Sequence, residues 1–204
     1  MNRNIHTLRP ASGIPTVIFI LLIANGLVFA LQQMSFEFMM IRFALWPATP
    51  SNSPFMPWQL LTYGFLHGNL MHIAFNMFAL WMFGQDLERL WGPRRFLTYF
   101  LVCVVGAGLV QLVVAGWQGG LYPTVGASGG VFGILLAFGL TFPNRMVMLI
   151  FPPIPMRAIT AVFVFGALEL FLGFSGAAPG IANFAHLGGM LFGFLTLRYW
   201  RGRR

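Results

Sequence analysis

The sequence predicts an all-α polytopic membrane protein, a bundle of six transmembrane helices forming one domain over residues 1–204. Three observations predict it. Of the 204 residues, 58% are hydrophobic and only 8% are charged, whereas a soluble domain carries about 25% charged residues. So few polar groups cannot cover a water-facing surface. The apolar residues fall into six runs, at 14–34, 60–84, 95–116, 126–142, 157–173 and 181–199, most of them near the ~20 residues that cross ~30 Å of hydrocarbon as a helix. The charged residues, finally, lie mostly between or at the ends of those runs.

The first run follows MNRNIHTLRP. No small-residue cleavage site is evident after it, so it reads as a retained first span and not as a removed signal. The link at 35–59 carries Phe36, Phe38, Phe43, Trp46, Phe55 and Trp58 interleaved with Pro47, Pro50, Pro54 and Pro57. Aromatics of this kind favour the headgroup region, and the loop is expected to lie on or partly in the outer leaflet. Span 3 holds Cys103, the single cysteine, which can form no intramolecular disulfide and reads as a small buried residue. Spans 4 and 5 are short, and PNR and FPPIPMR between them suit interfacial turns.

All twelve basic residues are arginine and the net charge is +8. Their dispersal between apolar segments, with no single basic patch, argues against nucleic acid as a partner. With six spans, Arg3, Arg9, Arg89, Arg94, Arg95, Arg145, Arg157, Arg198, Arg201, Arg203 and Arg204 fall on one side and only Arg42 on the other. The positive-inside rule then puts both termini in the cytoplasm of a cell (inner) membrane.

In that orientation spans 2, 4 and 6 run from outside to inside, with polar residues in their outer halves. Ser128 stands in the first turn of span 4, and His186 about five residues into span 6. His72 and Asn76 lie further into span 2, with His67 a turn above. Polar groups are costly in lipid and should face the bundle interior. His72 and Asn76, at i and i+4, share a helix face. His67 and His72, at i and i+5, stand about 140° apart on a helix and should point differently. Each has an ordinary reading, the serine bonded to its own helix, the histidines and asparagine as interhelical glue. Gly126, Gly129, Gly130 and Gly133, and the GxxxG pair Gly189 and Gly193, can simply permit close packing. The shared depth of these groups favours chemistry instead.

A serine needs a base to remove its proton, and His186 is the candidate. Ser128 at a helix start also has free backbone N–H groups near the positive end of the dipole, able to stabilise an oxyanion, with Asn76 and His72 as further donors. A carboxylate third member is hard to find among Glu37, Asp86, Glu88 and Glu169. Glu169 lies near the outer end of span 5, but nothing in the sequence sets it on His186, so a Ser–His dyad is the simpler reading. The pattern Gly126-x-Ser128-x-Gly130 also fits a nucleophile elbow, which needs flanking strands that the chain does not offer. There is no HExxH for zinc, and a single aspartate cannot make a catalytic pair. No metal and no cofactor are expected.

Three stretches together, HGNLMHIAFN at 67–76, GASG at 126–129 and AHLGGMLFG at 185–193, resemble the rhomboid intramembrane serine proteases over essentially the whole six-span core. The resemblance implies Ser128 as nucleophile, His186 as general base, and His72 and Asn76 with the Ser128 backbone N–H as the oxyanion site. Gly126 is placed in the same oxyanion and substrate-binding set. It implies cleavage of transmembrane segments of membrane proteins near their outer ends, the substrate entering between spans 2 and 5. Two positions depart from the family. Trp58-Gln59 stands where a Trp-Arg pair is common, and Phe132 replaces a tyrosine that packs on the catalytic histidine. The rival functions are a catalytically inactive rhomboid-like scaffold that binds membrane clients, and a haem or transport bundle using His72 and His186.

Overall fold

The structure is a computed structural model, and it describes residues 13–48, 55–148, 153–177 and 182–202. Six long helices form the bundle: α1 (Thr16–Met34), α4 (Leu70–Trp91), α5 (Pro93–Gln118), α6 (Ser128–Thr141), α7 (Ala158–Ser175) and α8 (Asn183–Arg201). Between α1 and α4 lie the short helices α2 (Phe36–Phe43) and α3 (Gln59–Thr62) and a 3₁₀ turn at Tyr63–Phe65. Two short strands, β1 (Met146–Met148) and β2 (Pro155–Arg157), pair antiparallel in the link between α6 and α7. The link was expected to hold interfacial turns, so this small ladder departs from an all-helical chain, as does an isolated antiparallel bridge between Leu45 and Thr124.

Three of the long helices, α1, α5 and α7, are long and apolar enough by themselves to cross a membrane. The other three carry His72 and Asn76, Ser128, and His186. These three are the helices whose hydropathy or length falls short.

The second span is displaced from its expected position. The apolar run at 60–84 is not one helix: residues 59–65 form a separate turn, and α4 starts only at Leu70. The side chain of Asn69 fixes that start by accepting the His72 backbone N–H at 2.8 Å, the usual work of an N-cap asparagine. At the other end α4 continues past the apolar stretch to Trp91. It stops at Gly92, whose φ is +81°, with Pro93 opening α5. Glycine after a helix and proline at its first position are the favoured punctuation.

The bundle is centred on α5, whose Phe96, Tyr99, Phe100 and Cys103 have no exposed surface, and Cys103 is buried as expected. Lipid supplies little hydrophobic drive between helices, so close packing and hydrogen bonds must hold them. Both are present. A Cβ on Gly189 of α8 would collide with the Gly129 backbone carbonyl of α6, and one on Gly193 with the Tyr99 hydroxyl of α5. That hydroxyl donates to the Gly133 carbonyl at 2.8 Å. At the arginine-rich end, Glu88 of α4 accepts the Val17 and Ile18 backbone N–H groups at 2.9 and 2.8 Å, satisfying two orphan donors at the positive end of α1.

Arg89, Arg94, Arg95, Arg145, Arg157, Arg198 and Arg201 all lie towards the end of the bundle opposite Ser128 and His186. Arg145 pairs with Asp86. Arg3, Arg9, Arg203 and Arg204 lie outside the described residues, as does the part of the first loop with Pro50 and Pro54. Within the described part of that loop, α2 turns Phe36, Phe38 and Ile41 outward, which suits the expected seat in the headgroup region. Gln59 follows Trp58 at the position where the resemblance leads one to expect an arginine. Its side chain accepts the Trp46 N–H at 3.3 Å and donates to the Ile41 carbonyl at 3.2 Å, while Trp58 Nε1 donates to the Arg42 carbonyl at 2.9 Å. The glutamine thus ties the loop together with neutral hydrogen bonds.

Candidate active site

Ser128 is the first residue of α6, and His186 is in the first turn of α8. His186 Nε2 lies 2.8 Å from Ser128 Oγ, the length of a good hydrogen bond. The close approach of α6 and α8 makes this distance possible: Gly189 can carry no side chain where it touches the Gly129 backbone, and a Cβ on Gly129 would collide with Ala107 of α5. Phe132, one turn further along α6, stacks on the His186 ring with centroids 4.4 Å apart and planes 5° from parallel. The ring packing expected of a tyrosine is therefore made by phenylalanine.

The other polar groups converge from α4. His72 and Asn76 share a face, as expected, and the Asn76 amide donates to the His72 carbonyl at 2.8 Å. That bond lies within one turn of α4, so Asn76 does not clamp two spans together, and the amide keeps a second N–H. His72 Nδ1 accepts the Gly68 backbone N–H at 3.3 Å, which leaves the ring proton on Nε2 of a neutral imidazole. Gly126, with φ of +126°, brings Nε2 close to the serine. A Cβ there would sit 2.8 Å from His72 Nε2 and 3.5 Å from Ser128 Oγ. The Gly126 N–H donates to the Tyr63 carbonyl at 2.9 Å, so the turn before α4 holds the segment before α6 in place.

The backbone contributes as well. The first intrahelical bond of α6 runs from the Val131 N–H to the Ala127 carbonyl at 3.0 Å, so the N–H groups of Ser128, Gly129 and Gly130 precede the ladder. Ser128 and Asn76 both line a cavity of about 540 Å³ bounded by α4, α6, α7 and β1, with Phe75, Val131, Phe165 and Leu168 among its apolar walls.

Two expectations require correction. His67 precedes α4, so the helical geometry that would turn it away from His72 does not apply. Its ring lies edge-on to His72 with centroids 5.1 Å apart, and Gln32 of α1 pins its backbone by bonds of 2.8 and 3.0 Å. Glu169, which nothing in the sequence joined to His186, has Oε2 3.0 Å from His186 Nδ1. The same oxygen accepts the Asn183 side-chain amide at 2.6 Å. Asn183 was missed altogether. The available signal was its place three residues before His186, on the same helix face, and the fact that Glu169 is the one acid in α7.

Residues 54–203 match the model of the Rhomboid domain family. The chain is 36% identical over 141 residues to the rhomboid protease GluP of Bacillus subtilis, covering 68% of this chain and 25% of that protein. It is 30% identical over 190 residues to the mitochondrial presenilin-associated rhomboid-like protein of Mus musculus, covering 88% and 48%. Against the mitochondrial Rhomboid protein 1 of Saccharomyces cerevisiae it is 31% identical over 140 residues, covering 64% and 38%. The chain thus spans between a quarter and a half of the length of these relatives. With a domain match over most of its length and a relative 30% identical over 88% of it, this membrane-embedded chain belongs to the rhomboid family.

Proposed function

We propose that the protein is an intramembrane serine endopeptidase that cleaves transmembrane segments of membrane proteins with a Ser128–His186 dyad. The 2.8 Å contact between His186 Nε2 and Ser128 Oγ carries this reading. His186 takes the Ser128 proton as the oxygen attacks the scissile carbonyl carbon. The oxyanion that forms meets the Ser128 N–H at the helix start, the His72 Nε2–H and the free N–H of Asn76. His186 then gives the proton to the departing amine, leaving an ester on Ser128. Water from the outer side, deprotonated by the same imidazole, attacks that ester and frees the enzyme.

The apolar cavity between α4 and α7 leads to Ser128 and suits a lipid-embedded peptide as substrate. An intact helix has its backbone already bonded, so a substrate must unwind locally to present a carbonyl, and helix-breaking residues favour cleavage. The arginine distribution supports cytoplasmic termini in a cell membrane, with the dyad towards the opposite side. The test is cleavage of a model transmembrane substrate in proteoliposomes by wild type, Ser128→Ala and His186→Ala. Both variants are expected to be folded and without turnover. Substantial cleavage by Ser128→Ala would remove the nucleophile, and a folded wild type that cleaves nothing while retaining transmembrane clients would favour the inactive scaffold.

A further inference from the structure

Glu169 is an unusual residue for its place. It lies inside a helix read as a membrane span and is only 7% exposed. A carboxylate buried at membrane depth is expensive and persists only with partners. Among the described residues its two polar contacts are Asn183 Nδ2 at 2.6 Å and His186 Nδ1 at 3.0 Å, both to Oε2. Neither partner is a strong cation, and no arginine is placed against it, so an ordinary structural ion pair does not account for it. His186 Nε2, on the other side of the ring, faces Ser128. Ser128, His186, Glu169 and Asn183 therefore form a line of polar contacts running from α6 through α8 to α7 and back to the start of α8.

We propose that Glu169 is a positioning residue for His186, with Asn183 holding the carboxylate; this rests on the dyad reading above. To accept the serine proton, Nε2 must present its lone pair, which requires the ring proton on Nδ1. A carboxylate 3.0 Å from Nδ1 favours that tautomer and stabilises the imidazolium formed when the serine attacks. The proton on Nδ1 stays on the ring throughout. The carboxylate stands off the Nδ1–H direction, since Nδ1 has no aligned hydrogen-bond acceptor. Catalytic hydrogen bonds in unliganded sites are often misaligned and tighten on substrate binding. Asn183 restrains Oε2 from the same helix that carries His186, so the acid is registered to the base even though it is borne by α7.

The test uses the full chain in proteoliposomes, with active sites counted by a fluorophosphonate probe. Glu169→Gln preserves the shape and an acceptor for Asn183 but removes the charge. The expected result is a kcat per labelled site lower by roughly 10²-fold, with KM within about threefold of wild type and the thermal midpoint little changed. Probe labelling of Ser128 should slow in parallel. A merely structural glutamate would instead lower the thermal midpoint and the number of labelled sites and leave kcat per site unchanged. A kcat per site within about twofold of wild type overturns the proposal. If Glu169→Gln does not fold, Asn183→Ala decides: kcat lower by severalfold at unchanged KM supports the role, and unchanged kcat overturns it. Loss of turnover in Ser128→Ala alongside unaffected Glu169 and Asn183 variants would leave the dyad standing and remove only the third residue. Turnover in Ser128→Ala would remove the dyad itself.

Discussion

Of the helices that pack on α6, α8 and α7 do so in opposite ways. The first, α8, meets α6 backbone to backbone: Gly189 lies against the Gly129 carbonyl, and a Cβ on Gly133 would collide with Cys103 and come within 3.1 Å of the Gly189 carbonyl. The second, α7, is anchored mainly at its foot, where Ala158, Ala161 and Val162 are buried beside Gly139. Above that foot Glu169 is its only further buried residue, and Phe163, Phe171 and Phe174 face outward at 71%, 65% and 72% exposure. The side of α7 towards α4 borders the cavity. The seam that must hold Ser128 and His186 within hydrogen-bond reach is thus built from backbone, which cannot rotate away, and the wall beside the cavity is built from side chains. A Ser–His pair acting as proposed would tolerate little displacement, since an error of about 1 Å can cost 10²-fold in rate, whereas a wall that admits substrate as proposed would have to accept different segments.

The contrast can be broken with one substitution made in both places. Gly189→Ala sets a methyl group against the Gly129 carbonyl, and only a movement of α8 or α6 relieves it. Overpacking of this kind costs roughly 1–3 kcal/mol, and the resulting shift of His186 should lower kcat by about 10²-fold. Gly139→Ala meets chiefly the Val162 side chain, with the Ala158 carbonyl at 3.0 Å. It should cost a comparable ~1–3 kcal/mol of stability yet reduce kcat far less than Gly189→Ala does. Thermal midpoints and specific activities of the two purified variants decide this, and equal losses of kcat would erase the distinction between seam and wall.

The α4 side of the cavity sharpens the comparison. Asn76→Ala removes a donor directed at the proposed oxyanion, and loss of one such donor costs roughly 10²–10³ in rate. With His72 and the Ser128 N–H remaining, the lower end of that range is expected, at nearly unchanged KM. Its bond to the His72 carbonyl lies within one helix turn, so the thermal midpoint should hardly move. Full specific activity would take Asn76 out of the oxyanion site. The smallest effect is expected on the outward face of α7, where Phe171→Ala should change stability by no more than about 0.5 kcal/mol and leave kcat at the wild-type value. A marked loss of turnover there would mean that this face contacts the substrate.

The parts of the molecule that were legible in the sequence are those governed by one-dimensional rules. Apolar runs located the six long helices, and the arginines fall at the end of the bundle opposite Ser128 and His186. The spacing of His72 and Asn76, and the glycines around Ser128 and after His186, pointed to residues that the fold brings together. The start of α4 was misread because an apolar run does not distinguish a helix from a helical turn followed by a loop. The decisive signal was Asn69, a single capping side chain. The β1–β2 pair was missed because three-residue strands leave no usable period. Glu169 was seen but could not be joined to His186, since the contact depends on how α7 leans against α8, a tertiary relation with no counterpart in spacing along the chain.

The central claim is that Ser128 is a nucleophile activated by His186. Its most direct measurement is peptide mass spectrometry of the purified protein after treatment with a fluorophosphonate, which reacts with activated serines and leaves a covalent adduct. The account predicts one adduct, on Ser128, that is absent from His186→Ala and depleted by prior incubation with a transmembrane substrate. An active preparation that carries no adduct on Ser128, or labels Ser128 equally well without His186, would contradict it.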